Sequence, residues 1–219
     1  IMMLSLMMPL LTAVAAEEEP LKKRATYYTE EKIKSARENI EKYDWAKAIA
    51  NPIIEKADKF VSQGYAFIWD NLASQGLPRS YAVNQPDGCL NCGKAIDAHG
   101  NYPYIYDPIG NPWTITCPSC QMVFPTNDFK SFYFSALDEN GNFDASRGDK
   151  EYLKNIRYPE KGENWGVDDG WGYTHTDGKR YTFVAYYNHE ANYRYTLNEA
   201  ISAAYQAYLF TGEQKYADW

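Results

Sequence analysis

Apolar positions recur with a helical period at both ends of the chain, and that period breaks down in the middle. Ile33, Ala36, Ile40 and Tyr43 follow Thr29 every three or four residues with charges between them, which predicts a helix capped by the Thr29 side chain. A second helix is predicted with Asp44 as its cap and Ala46, Ile49, Ile53, Ala57, Phe60 and Val61 as its buried stripe. Pro52 is expected to bend or restart it, because proline removes a backbone donor. A third short helix is expected over 65–73, before Gly76-Leu77-Pro78 stops the run, so residues 16–83 read as an N-terminal helical segment. The period returns at Tyr186 and runs through Tyr193, Leu197, Ala200, Ile201, Ala204, Tyr205 and Tyr208 to a stop at Thr211-Gly212. Residues 181–219 read as the start of further helices, with another begun over 213–219 and cut short.

Between these ends, residues 84–127 change to Pro, Gly, Asn, Cys and aromatics, with β-prone pieces at 104–106 and 113–116. This segment reads as a compact insert. Residues 128–180 are irregular and rich in Gly, Asp and aromatics, with a turn at Asp138-Glu139-Asn140-Gly141-Asn142. Long irregular aromatic segments in folded domains usually line a site.

Residues 1–15 carry no charge and close on Ala13-Val14-Ala15, which reads as a signal peptide with a small-residue cleavage site. The run is too short to span a bilayer, and Glu17-Glu18-Glu19 follows at once, so an exported protein without a stable membrane span is expected. The net charge of -7 and the lack of a basic cluster after Lys22-Lys23-Arg24 argue against nucleic acid as partner. Twenty Tyr and six Trp suit stacking against sugar rings, since aromatic edges also meet hydroxyls.

All four cysteines fall in two C-x-x-C turns, Cys89/Cys92 and Cys117/Cys120. Two residues between thiolates let one tight turn aim both sulfurs at one ion, and Gly93 frees the backbone there. A closed tetrahedral site for a structural zinc is expected, with two disulfides as the alternative in an exported chain.

The chemistry-bearing stretch is Tyr186-Tyr187-Asn188-His189-Glu190-Ala191-Asn192-Tyr193-Arg194. On a helix, residues 189 and 193 share one face and residues 190 and 194 another. Cleaving a uronic-acid polymer by β-elimination requires neutralising a carboxylate, a base for the C5 proton and an acid for the leaving oxygen. Asn188, His189 and Tyr193 offer those types as catalytic candidates, while Glu190 and Arg194 are candidates for substrate binding or for a plain helix ion pair. Trp165 and Trp171, with His175 close by, form a loop whose aromatics are candidates for sugar subsites.

The order of these features resembles the heparinase II/III-like polysaccharide lyases and their alginate-lyase-like relatives. The strings that carry the likeness are CLNCGK, CPSCQMVFPTNDF, LDENGNF, YYNHEANYR and TGEQKYADW. The resemblance implies a mainly α fold, an incomplete (α/α) toroid bearing a small four-cysteine, zinc-ribbon-like β insert. It implies a lyase acting on an acidic, uronate-containing polysaccharide, with Asn188 and His189 at an inner-helix mouth and the principal Tyr and a further His on later helices beyond residue 219. On that reading this is an N-terminal fragment that is inactive alone. Two other readings stay open. One is a toroid glycoside hydrolase, for which Asp168, Asp169 and Glu190 are the available carboxylates. The other is a non-catalytic carbohydrate-binding or scaffold protein.

Overall fold

The computed structural model describes residues 27–219, so the signal-peptide expectation for 1–15 lies outside the described residues. Seven α-helices and two small antiparallel sheets make up a mainly helical fold among those residues. No described helix is long and apolar enough to cross a membrane.

Helix α1 (Glu30–Lys42) starts as expected, with Thr29 accepting from the Lys32 amide. Helix α2 (Asp44–Val61) differs from expectation in three ways. It runs through Pro52 without interruption, with Tyr43 as its N-cap and Asp44 inside the first turn. Pro52 cannot donate to Ala48, but both residues sit on the exposed face, where water can take up the orphaned carbonyl. The buried stripe is also narrower than the apolar pattern, because Ala46, Ala50, Ala57 and Phe60 are buried while Ile49 is 60% exposed. Small residues decide this. Helix α6 (Ala200–Thr211) presents Ala203 and Ala207, which cluster with Ala57, and alanine faces let two helix backbones approach closely.

Helix α6 ends where expected, with Gly212 left-handed at φ 75°. Arg37 of α1 closes that end by donating to the carbonyls of Leu209 (2.9 Å) and Tyr208 (3.2 Å). Helix α7 (Lys215–Asp218) is tied back to α2 through Tyr216 Oη and Lys215 Nζ, which reach Asp58 at 2.8 and 2.9 Å.

The short helix α3 (Ala66–Asn71) leads into the insert, a three-stranded sheet of β1 (Ile105–Asp107), β2 (Asn111–Thr116) and β3 (Val123–Phe124) in the order β1-β2-β3. Trp113, Ile115 and Phe124 turn inward and join one large aromatic core. That core takes in Phe129, Phe132 and Tyr133 of α4 (Phe129–Ser135), where Tyr133 stacks on Trp113 at 4.6 Å, and Phe183, Val184, Tyr186 and Tyr187 of the wholly buried α5 (Phe183–Tyr187). The expected turn at 138–142 is present, with Leu137 bridging to Phe143 and Asp138 accepting from the Asn140 and Asn142 amides. A hairpin of β4 (Tyr173–Thr174) and β5 (Arg180–Tyr181) then leads into α5.

Candidate functional site

Between α5 and α6, residues Asn188–Glu199 wind as a π-helix with i→i+5 bonding. The Thr196 hydroxyl reinforces that register by donating to the Ala191 carbonyl at 2.8 Å. This winding builds a cleft of about 460 Å³, with Leu77 and Arg79 on one wall and Asn188, Asn192, Tyr193 and Leu197 on the other. At about 100° per residue an α-helix would spread those four over half the circumference, whereas at the roughly 82° of π winding they fall within about 80°. The π segment therefore puts them on one face.

The structure brings Asn188 and Tyr193 into this cleft, and places His189 beside them with its ring 6.3 Å from that of Tyr193 and 4.2 Å from Tyr81. His189 is 8% exposed, and its Nδ1 lies 2.9 Å from Glu190 Oε1. A carboxylate can only accept, so Nδ1 carries the proton and Nε2 keeps its lone pair in neutral His189. The other Glu190 oxygen receives Arg194 Nη1 at 2.7 Å, the i,i+4 pair expected from sequence, and Glu190 is buried while Arg194 stays exposed. Glu190 and Arg194 do not line the cleft. Asn188 has spent its donors, because Nδ2 bonds the carbonyls of Leu77 (3.2 Å) and Pro78 (3.0 Å) and pins the two walls together.

Sequence reasoning missed Arg79 and Asn192. The Arg79 guanidinium lies 5.0 Å from the Tyr193 ring centroid and is the cation of the cleft wall. Lys179 and Arg180 do not serve there. Lys179 pairs with Asp87 and Asp177, and Arg180 donates to the Trp171 carbonyl.

The aromatic loop stands apart from the cleft. Trp165 packs on Phe124 and Tyr158 with Lys161 over its ring, Trp171 is 55% exposed, and His175 Nδ1 bonds the Tyr173 hydroxyl at 2.9 Å. Asp168 is completely buried and organises this loop. Its Oδ1 accepts from the Gly170 and Gly172 amides and its Oδ2 from Val184 at the start of α5. Burial pushes its carboxyl up to about 6, with those three amides pulling the other way.

The four cysteines converge as the spacing predicts. Cys89, Cys92, Cys117 and Cys120 place their sulfurs within 4.8 Å of one another, and none is in a disulfide. The nearest approaches cross between the turns, Cys89–Cys120 at 3.8 Å and Cys92–Cys117 at 3.7 Å. A tetrahedral centre with metal–sulfur bonds of about 2.3 Å sets sulfur separations of about 3.8 Å, so the cluster has the size of an S4 metal site. Gly88 makes the first turn compact, since a Cβ there would meet the Gly93 carbonyl oxygen at 2.4 Å. Burial pushes the Cys92 thiol well above its ordinary value and Cys117 up to about 11, and a bound cation would reverse both by stabilising thiolate. No protein-family model, curated protein or solved structure matches the chain.

Proposed function

We propose that the cleft is the substrate site of a lyase that cleaves a uronic-acid-containing polysaccharide by β-elimination. The observation that carries this reading is the meeting of Tyr193 and the Arg79 cation at one cleft whose lining holds no carboxylate, with the His189 ring, itself outside that lining, 6.3 Å from the ring of Tyr193. In the reaction, Arg79 offsets the charge of the C6 carboxylate and so acidifies the C5 proton. The C5–H bond breaks, its electron pair forms the C4–C5 double bond, and the C4–O bond breaks with the leaving oxygen taking a proton. Tyr193 and His189 Nε2 are the groups assigned to these two proton transfers. Asn188 holds the cleft walls together through Leu77 and Pro78.

Hydrolysis is less well supported. It needs two carboxylates flanking the sugar, yet Asp168 is completely buried and Glu190 is occupied by His189 and Arg194. The four-cysteine cluster is assigned a structural zinc, since four thiolates leave no open position for a substrate. Export to an oxidising or extracellular compartment and a toroidal arrangement of the helices belong to the same proposal. The test is ultraviolet absorbance of the new C4–C5 double bond, with the gene's full product and a panel of uronic-acid polysaccharides. A rise with one polymer that disappears in Tyr193→Phe and His189→Gln supports the reading. New reducing ends without that absorbance would replace it with a hydrolase.

A further inference from the structure

Asn192 is 2% exposed and lines the cleft, yet neither its Oδ1 nor its Nδ2 has a hydrogen-bond partner among the described residues. Leaving a buried amide unpaired disfavours the fold, and native proteins rarely tolerate it without a reason. Asn188, one turn earlier, shows how the same chain satisfies an amide, on the carbonyls of Leu77 and Pro78. The unmet atoms of Asn192 define what would satisfy them. Nδ2 needs an acceptor and Oδ1 needs a donor. A carboxylate can only accept, so it would leave Oδ1 unmet, whereas a hydroxyl or a vicinal diol can do both. Across the cleft, Arg79 is exposed, lies against the Tyr193 ring, and has no carboxylate partner among the described residues.

From this pair we infer a two-point subsite in which Arg79 binds the carboxylate of a sugar acid and Asn192 binds hydroxyls of the same sugar. The inference rests on the reading of this cleft as the substrate site. It gives Asn192 and Arg79 separate contributions to selectivity. Arg79 distinguishes charged from neutral sugar. Asn192 reads the hydroxyls whether or not the acid is present.

The experiment measures binding of the tetrasaccharides of β-1,4-glucuronate and β-1,4-mannuronate, each beside its carboxyl-reduced form, by calorimetry on the chain and two variants. Arg79→Gln is expected to weaken binding of the charged oligomer about tenfold or more and to leave the reduced one unchanged. Asn192→Leu, which keeps the branching and the number of heavy atoms, is expected to weaken both forms about tenfold. It is also expected to raise the melting temperature, because an unpaired amide has been replaced by an apolar group. A lower melting temperature with binding intact would overturn the inference, as it would make Asn192 structural. Equal loss of both oligomers in Arg79→Gln, or no binding of any oligomer, would overturn it as well. Binding that follows the expected pattern without any unsaturated product would leave the subsite standing and remove the lyase. Product formed at an unchanged rate by Asn192→Leu would do the reverse.

Discussion

Thr196 Oγ1 donates to the carbonyl of Ala191, five residues earlier, at 2.8 Å. The bond is buried, and its span matches the i→i+5 register of the backbone around it. Replacing Thr196 by Val keeps the shape and removes the hydroxyl. The expected loss is about 1 kcal/mol, the usual net value of one such bond. Thermal melting reads that loss. If the bond also holds the winding, backbone amide shifts at Asn192 and Tyr193 move in the same variant. Unchanged shifts would mean that the packing of α5 and α6 sets the register alone.

The four-cysteine cluster predicts one zinc per chain. Cys89 and Cys117 are buried within the core that contains Trp113, Ile115 and Phe124, so loss of a bound ion would leave unpaired thiols in that core. Metal analysis should find stoichiometric zinc, and a strong chelator or Cys117→Ser should destabilise the chain by about 3 kcal/mol or more. Chains that melt identically with and without chelator would favour the crosswise disulfides Cys89–Cys120 and Cys92–Cys117.

Much of the fold was legible where the signal was local. Thr29, the 138–142 turn, the C-x-x-C pairs and Gly212 each act within a few residues of themselves, and each behaves as its chemistry dictates. The π segment was not legible, because apolar spacings of three and four residues are read as an α-helix, and nothing in residues 188–199 announces the wider i→i+5 winding. Its consequence is that Asn192, to which the sequence reading gave no role, joins Asn188 on the cleft wall. Asn188 carried the expected motif, but its amide donors are consumed by Leu77 and Pro78, contacts 111 and 110 residues away that no spacing could reveal. Arg79 was hidden for the same reason, since it follows a helix stop and gains meaning only from Tyr193.

Asp168 predicts a pH dependence. Its carboxyl is raised to about 6 when folded, against an ordinary 3.8, so the folded chain binds the proton more readily between those values. Its contribution to stability therefore grows as pH falls from about 6 towards 4, by at most about 3 kcal/mol, and is lost as pH rises through the folded value. Asp168→Asn should flatten that slope. It should also destabilise the chain at neutral pH by about 1–3 kcal/mol, because one amide oxygen cannot serve Gly170, Gly172 and Val184 together. Melting curves across this window in both chains decide the matter, and identical slopes would sink the assignment.

Arg37 joins the beginning of the described fold to its end. Arg37→Ala removes both bonds to the last carbonyls of α6 and is expected to lower stability by about 1–2 kcal/mol. Hydrogen exchange should rise first at Gly212, whose amide closes the same turn on Tyr208. Faster exchange confined to α1 would show that the cap is dispensable.

Tyr193 predicts a separation of binding from chemistry. Tyr193→Phe keeps the ring under Arg79 and removes only the phenolic hydroxyl. Turnover on the responsive polymer should fall about 100-fold or more while affinity changes little. Lost affinity with turnover intact would make the ring a platform and move the proton transfers elsewhere.

The two ends of the π segment are clamped by unlike means, α5 by complete burial in the aromatic core and α6 by its alanine face on α2. Between such anchors the coil behaves as a torsion element. Rewinding it at the ordinary 100° or so per residue from a fixed α5 would turn Tyr193 and Leu197 away from Asn188 and force α6 to rotate on α2. Deleting one residue within 188–199 would therefore change the handed arrangement of the wall more than any single side-chain exchange. A molecule bridging Asn192 and Arg79 would hold the present winding, because it binds only this arrangement of the wall.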